Sequence, residues 1–154
     1  MAQAHTHTQT LTPYIIVRDA AAAIDFYKRA FGAEETMRMA DPKGRIGHAE
    51  LTIGGAPIML ADEHPEFGAV GPASLGGTSV KLHLTVADAD AVATRAVEAG
   101  ATLLRPVADQ FHGNRSGAIA DPFGHNWFIS QEIEQVSPEE MQQRYAQALQ
   151  GQQE

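Results

Sequence analysis

Cysteine is absent from this chain, and disulfides, thiolate metal sites, zinc ribbons and cysteine nucleophiles are excluded with it. Positive charge is scarce: 11 Lys and Arg stand against 19 Asp and Glu, a formal charge of −8. Affinity for nucleic acid comes mainly from neutralising phosphates, so no nucleic-acid partner is expected. No apolar run approaches the roughly 20 residues of a membrane span, and no membrane association is expected. The start, Met1 to Thr10, is polar and lacks the apolar stretch of a secretory signal, which makes the cytoplasm the expected location. Glycine-rich phosphate loops, dinucleotide fingerprints, serine-nucleophile elbows and metalloprotease helix motifs are also missing.

What the chain does have is an internal repeat. Ile16-Val17-Arg18-Asp19-Ala20 opens an alanine-rich, helix-like run that closes at Gly32-Ala33. Thr85-Val86-Ala87-Asp88-Ala89 opens a second one, closing at Gly100-Ala101. Strand-like segments follow each helix, with a basic turn among them at Lys43-Gly44-Arg45 and again at Gly113-Asn114-Arg115. A strand–helix–strands unit of about 60 residues, used twice, implies two half-sheets able to face each other across a cleft. At 154 residues the chain is long enough to bury a core in one domain.

The first unit spans 11–62. Tyr14 to Val17 is β-rich, Asp19 is a good N-cap, Ile24, Tyr27 and Phe31 recur at helical spacing, and Gly32 supplies the left-handed stop. Strands are predicted at Glu35–Met39, Ile46–Ile53 and Pro57–Ala61, with Gly54-Gly55 as a tight hairpin turn. The stretch 63–79 is rich in Gly and Pro without periodicity, and reads as a linker or as a loop over the cleft. The second unit spans 80–132. It begins with a strand from Val80 to Val86, then a helix over about Ala89–Ala99 capped by Asp88, with Val92, Ala96 and Val97 inward. Strands follow at Thr102–Pro106, Arg115–Ala120 and Asn126–Gln131, the last two joined by Asp121-Pro122-Phe123-Gly124. A final helix over 137–150 is signalled by Ser137-Pro138-Glu139-Glu140, a capping box with proline in the first turn. Its narrow apolar stripe of Met141, Tyr145, Ala148 and Leu149 suits packing on this chain or on a dimer mate.

Alternation along the strands sorts side chains between a helix-facing side and an open side. In Val80–Val86 the even positions are aliphatic, leaving Lys81, His83 and Thr85 together on the other face. In His48–Ile53, Ala49, Leu51 and Ile53 are the apolar set, leaving His48, Glu50 and Thr52. Trp127 and Ile129 read as buried, with Asn126 and Phe128 opposite. Ile15 and Val17 go inward, putting Thr12, Tyr14 and Ile16 on the open side, where Ser116 also falls. Aromatic walls with a few converging polar groups are the usual look of a small-molecule pocket.

These motifs resemble a known family. Val17-Arg18-Asp19, Ile24-Asp25-Phe26-Tyr27 and Phe31-Gly32-Ala33 are similar to the first helix of the vicinal oxygen chelate superfamily, which holds glyoxalase I, bleomycin and fosfomycin resistance proteins and extradiol dioxygenases. His48-Ala49-Glu50-Leu51, Asp109-Gln110-Phe111, Arg115-Ser116-Gly117 and Asp121-Pro122-Phe123-Gly124-His125 resemble its PhnB-like branch. The resemblance runs from about Leu11 to Gln131. It implies an α+β fold of paired βαβββ modules (the glyoxalase/bleomycin resistance fold) forming a concave mixed-sheet cleft, here with a C-terminal helix. It also implies a homodimer, in some members with clefts built from modules of both subunits. In metal-dependent relatives the ligands sit on the first and third strands of module one and the first and last strands of module two. Those positions here are Thr12, Glu50, Lys81 and Phe128. Charged lysine has no acceptor and phenylalanine no lone pair, so the family's usual metal is not expected. A two-histidine, one-carboxylate set of His48, Glu50 and His83 is the alternative way to hold a divalent ion; otherwise Glu50 pairs with Lys81 or His83.

Two functions follow. In one, the chain binds an aromatic or amphipathic small molecule without metal: Tyr14, Phe67, Phe111 and Phe128 stack on it, Thr12 and His48 line the cleft, and Glu50, Lys81 and Arg115 set polarity. Arg115 is equally suited to pairing with Asp109 or Asp121. In the other, the chain is a lyase, isomerase or dioxygenase: Glu50 is ligand or general base, His83 or His48 its partner, and Lys81 steadies an oxyanion. His125 reads as a turn-bracing histidine.

Overall fold

The computed structural model describes residues 9–152, so most of the polar start, residues 1–8, lies outside the described residues. The first module is β1 (Tyr14–Val17), α1 (Ala20–Phe31), β2 (Glu34–Ala40), β3 (Ile46–Ile53) and β4 (Ala56–Asp62). After a short helix, α2 (Pro72–Leu75), the second module repeats the order as β5 (Lys81–Thr85), α3 (Ala89–Glu98), β6 (Thr102–Asp109), β7 (Asn114–Ala120) and β8 (Asn126–Glu132), and α4 (Pro138–Gly151) closes the chain. Each module forms its own four-stranded sheet, ordered β1-β4-β3-β2 and β5-β8-β7-β6. In each, the first strand joins the last in parallel and the other pairs are antiparallel. This is the paired βαβββ architecture with a carboxy-terminal helix. Among the described residues no helix is long and apolar enough to cross a membrane.

Local chemistry sets these boundaries. Asp19 accepts from the Ala22 amide at 3.1 Å, Asp88 from Ala91 at 3.0 Å and Ser137 from Glu140 at 3.2 Å, so all three long helices start on a side-chain cap. Gly32 ends α1 in the left-handed region at φ 69°. The box at Ser137 is only half closed, because the Glu140 carboxylate accepts from Arg144 instead of reaching back. The linker is more ordered than its composition suggests: a 3-10 turn at Pro65–Phe67 precedes α2, which packs on β1.

Helix α1 buries Ala20, Ala23, Ile24, Phe26, Tyr27 and Ala30, against Ile15, Val17, Ala49, Leu51 and Leu60 of the first sheet. Helix α3 buries Ala89, Val92, Ala93 and Ala96. Val97, expected inward, is 42% exposed at the edge of that face, and Val80, expected in the core, is 59% exposed ahead of β5.

The modules meet through their helix-bearing sides. Helices α1 and α3 touch, and Tyr27 and Phe31 reach across to Trp127 with ring centroids 5.4 and 4.7 Å away. The Asp121 carboxylate is the polar centre of this junction. Its Oδ2 accepts from the Tyr27 hydroxyl at 2.6 Å and from Trp127 Nε1 at 2.9 Å. Its Oδ1 accepts from the amides of Phe123 and His125, so the turn before β8 is pinned on the same group. Burial, then the adjacent Asp121 charge, push the Tyr27 phenol well above its ordinary pKa, so it stays a donor. His125 Nε2 adds a bond to the Ile16 carbonyl at 2.9 Å, bracing the turn on β1. Because these contacts lie on the helix side, the opposite face of each sheet is left open.

Candidate functional site

The open face of the first sheet is built by strand register. Tyr14 pairs with Met59, Met59 with Glu50 and Glu50 with Met37, so these four cross the sheet in one row. His48, two residues before Glu50 on β3, shares its face and stands opposite Met39. Period-2 alternation thus gathers three methionines and three polar groups on one surface.

The polar groups form a hydrogen-bonded chain. The Tyr14 hydroxyl lies 2.8 Å from His48 Nδ1, and His48 Nε2 lies 3.0 Å from Glu50 Oε1. An ionised carboxylate only accepts, so in the neutral imidazole Nε2 carries the proton and Nδ1 accepts from the phenol. Partial burial, then the charge of Glu50, raise the Tyr14 pKa and keep the phenol protonated near neutral pH. In this arrangement His48 can take the Tyr14 proton at Nδ1 while Glu50 fixes the imidazole's orientation and stabilises its positive charge, the roles of a hydroxyl–imidazole–carboxylate triad.

The open face of the second sheet is different. His83 pairs with Phe128, Phe128 with Ala118 and Ala118 with Arg105, giving the corresponding row, while Lys81 stands beside Asn126. Lys81 Nζ sits 5.1 Å from the Phe128 ring centroid and the Arg105 guanidinium carbon 5.5 Å from it. With Leu104, Ala118, Asn126 and Trp127 they line a recess of about 250 Å³.

The structure groups the expected residues into two sets and sets others aside. Tyr14, His48 and Glu50 come together, and Lys81 and Phe128 come together with Arg105. His83 lies 6.4 Å from Phe128, centroid to centroid, on its own sheet. Glu50 pairs with His48 on its own strand, not with Lys81 or His83. Thr12 is half-buried just ahead of β1. Phe67 is 84% exposed in the 3-10 turn of the linker. Phe111, in the β6–β7 turn, lies beside Tyr145 of α4 with ring centroids 5.9 Å apart and the planes tilted by 34°. Arg115 is bound by Asp90 at 2.7 Å and Asp109 at 2.9 Å, so its fork is engaged within the chain, and Asp121 is not its partner. Those two carboxylates hold the Arg115 pKa above its ordinary value, and Arg115 holds that of Asp90 below. Arg115 thus turns to the helix side of its sheet, while Phe67 and Phe111 sit in connecting turns and not on the strands.

Of the four positions that the resemblance equates with the family's metal ligands, charged Lys81 and Phe128 offer no lone pair and Glu50 accepts from His48. Among the described residues no three His, Asp or Glu side chains converge to hold an ion, so His48, Glu50 and His83 are not assembled as a set within one chain. A further recess of about 330 Å³ lies between α3 and β6, bordered by Asp90, Val97, Glu98, Leu103, Pro106 and Val107, with Asp90 paired to Arg115.

Arg105 and Asn126 complete the second set. Asn126 is readable from strand alternation. Arg105 is not, because β6 breaks its register on both sides of it, between Leu103 and Arg105 and between Arg105 and Ala108. The bulge turns Arg105 to the open face where simple counting loses it.

Two βαβββ modules, each with an open sheet face carrying polar groups, define the class architecturally. A sequence-family model described as the Glyoxalase/Bleomycin resistance protein/Dioxygenase superfamily matches residues 4–129. The chain belongs to that superfamily. It is 47% identical over 135 residues to the uncharacterized protein Rv0887c of Mycobacterium tuberculosis, covering 86% of this chain and 79% of that relative. Among solved structures it is similar to the product of the Arabidopsis thaliana gene AT5G48480 (26% identity, TM-score 0.65, 80% of this chain and 99% of that one). It is also similar to TioX from Micromonospora sp. ML1 (26% identity, TM-score 0.64, 82% of this chain and 100% of that one).

Proposed function

We propose that this chain is a cytoplasmic, PhnB-like member of the superfamily that binds a small amphipathic molecule in a cleft where side chains replace the usual metal. The observation that carries the reading is the substitution of the metal positions: Lys81 and Phe128 form a cation–π pair and Glu50 is held by His48. Met37, Met39 and Met59 on the facing surface support it, since thioethers adapt to varied apolar shapes. Both open faces lie away from the intrachain junction, so the cleft forms when module one of one copy closes on module two of a second, in a homodimer.

Native mass spectrometry of protein purified without chelator tests this. The expected result is a dimer mass with no stoichiometric metal. A tightly held divalent ion that disappears in Glu50→Gln would overturn it.

The Tyr14–His48–Glu50 chain favours a second reading, a lyase or isomerase in which this relay removes a proton from the bound molecule. Its internal hydrogen bonds, 2.8 and 3.0 Å, support the reading because they link the phenol to an imidazole base held by a carboxylate. In glyoxalase, extradiol-cleavage and epimerase assays, Tyr14→Phe and Glu50→Gln are each expected to lower any turnover about 100-fold or more. Equal rates in wild type and both variants would remove the relay from chemistry.

A further inference from the structure

Two cations converge on the ring of Phe128 in a chain that is acidic as a whole. Acids outnumber bases 19 to 11, and of the cations only Lys28, Arg38, Arg115 and Arg144 pair with carboxylates among the described residues. Lys81 and Arg105 form no ion pair among the described residues, yet both reach the same ring, at 5.1 and 5.5 Å. They approach it from opposite edges of the sheet, Lys81 from β5 next to β8 and Arg105 from β6 beyond β7. Cation–π attraction steadies each one separately, but among the described residues no carboxylate pairs with either.

Their setting is also prepared. Arg105 Nη2 donates to Ser116 Oγ at 3.3 Å, and Ser116 is buried. A guanidinium held at one corner keeps its remaining donors aimed in a fixed fork, the arrangement that suits a planar or tetrahedral oxyanion. Ala118, between Phe128 and Arg105 in the row, is small, and the recess of about 250 Å³ opens there with Asn126 at its side.

The geometry points to an oxyanion seat: Lys81 and Arg105, beside the Asn126 amide, receive the carboxylate or phosphate group of the small molecule bound in the cleft. The inference rests on the cleft reading above and narrows its ligand to an organic anion. Because both cations lie over Phe128, that ring supports them instead of stacking on the ligand, whose apolar part lies toward Leu104.

The test is a titration of the full chain followed by amide NMR, using benzoate, phenyl phosphate, inorganic phosphate and neutral benzamide as probes. Benzoate or phenyl phosphate is expected to bind at least about tenfold more tightly than benzamide, shifting amides near Lys81, Arg105, Ala118 and Asn126. The tighter of the two acids tells carboxylate from phosphate, and weaker inorganic phosphate shows that the apolar part contributes. Lys81→Met and Arg105→Met should each cost about tenfold for the acid and leave benzamide unchanged, while Arg95→Met, an exposed cation on α3, should leave both unchanged. If acid and amide bind wild type alike, or if Arg95→Met weakens the acid as much as Arg105→Met, the seat is overturned and the cleft stands. If no probe moves an amide on either open face, seat and cleft fall together.

Discussion

The two modules share one backbone plan and differ in what they do with charge. The first places an acid at the end of a hydrogen-bonded chain, Tyr14–His48–Glu50, on a methionine-rich surface. The second places two cations on an aromatic ring. A duplicated fold therefore supplies equivalent positions, while side-chain identity decides whether a face carries a hydrogen-bonded acid or a pair of cations. Neither face depends on the other for its internal bonds, so each can be altered without unfolding its counterpart.

The same contrast governs stability. In module one Asp62 accepts from the Ala20 amide and the Ile46 amide, both at 2.7 Å, tying α1 and β3 to β4. In module two the equivalent helix amide, Ala89, is met by Gln131, and the buried carboxylate has moved to the turn as Asp121, with four donors from both modules. The largest expected effect is therefore Asp121→Ala, at about 4 kcal/mol or more, since every donor it leaves buried is unsatisfied. Asp62→Ala should cost about 2–3 kcal/mol. Urea melts of the two variants check this, and equal losses would break the contrast.

Tyr27→Phe isolates the intermodule bond and should cost about 1.5–3 kcal/mol, because the deleted hydroxyl donates to a buried carboxylate. A loss below about 0.5 kcal/mol would show that the junction rests on packing alone.

Glycines at matching hairpin turns sharpen the comparison further. Gly44 and Gly113 both adopt positive φ, 84° and 93°. A Cβ at Gly44 meets nothing within 4 Å, whereas at Gly113 it would fall 2.5 Å from the Glu134 carbonyl oxygen. Gly44→Ala should cost about 1 kcal/mol, the left-handed penalty alone. Gly113→Ala adds a backbone collision and should cost about 2–3 kcal/mol while loosening the approach to α4. Thermal melts that rank the two equally would contradict this.

The smallest effect concerns α4, which has no counterpart in module one. Arg144 ties it to Glu134 at 2.6 Å and to the Phe111 carbonyl at 3.0 Å. The guanidinium holds the Glu134 carboxyl below its ordinary 4.5. A depressed carboxylate pKa contributes above the unfolded value and is lost as pH falls through the folded one. Hydrogen-exchange protection of α4 should therefore hold down to about pH 4.5 and decline below it. Unchanged protection at pH 3 would remove this pair from the docking of the helix.

Much of the fold could be read from sequence because its signals are local. Asp19, Asp88 and Ser137 mark helix starts through their own side chains, and Gly32, Gly44 and Gly113 mark turns through backbone sterics. The open faces were also readable, since alternation alone puts His48 and Glu50 beside one another and leaves Lys81 and Phe128 opposite the core. What could not be read depends on long-range register. Tyr14 meets His48 only because β1 enters the sheet beside β4. Arg105 reaches the open face only through a bulge, and Tyr27 meets Asp121 only through the packing of one module on the other.

The bond between Tyr27 and Asp121 also bears on synthesis. All strands of the first sheet have left the ribosome by Asp62, yet the partner of the Tyr27 hydroxyl emerges ~60 residues later, several seconds at ordinary translation rates. During that interval the nascent half holds a polar group awaiting its acceptor, and an aromatic face that Trp127 has not yet covered. Completion of the amino-terminal half is thus timed by the arrival of the carboxy-terminal one.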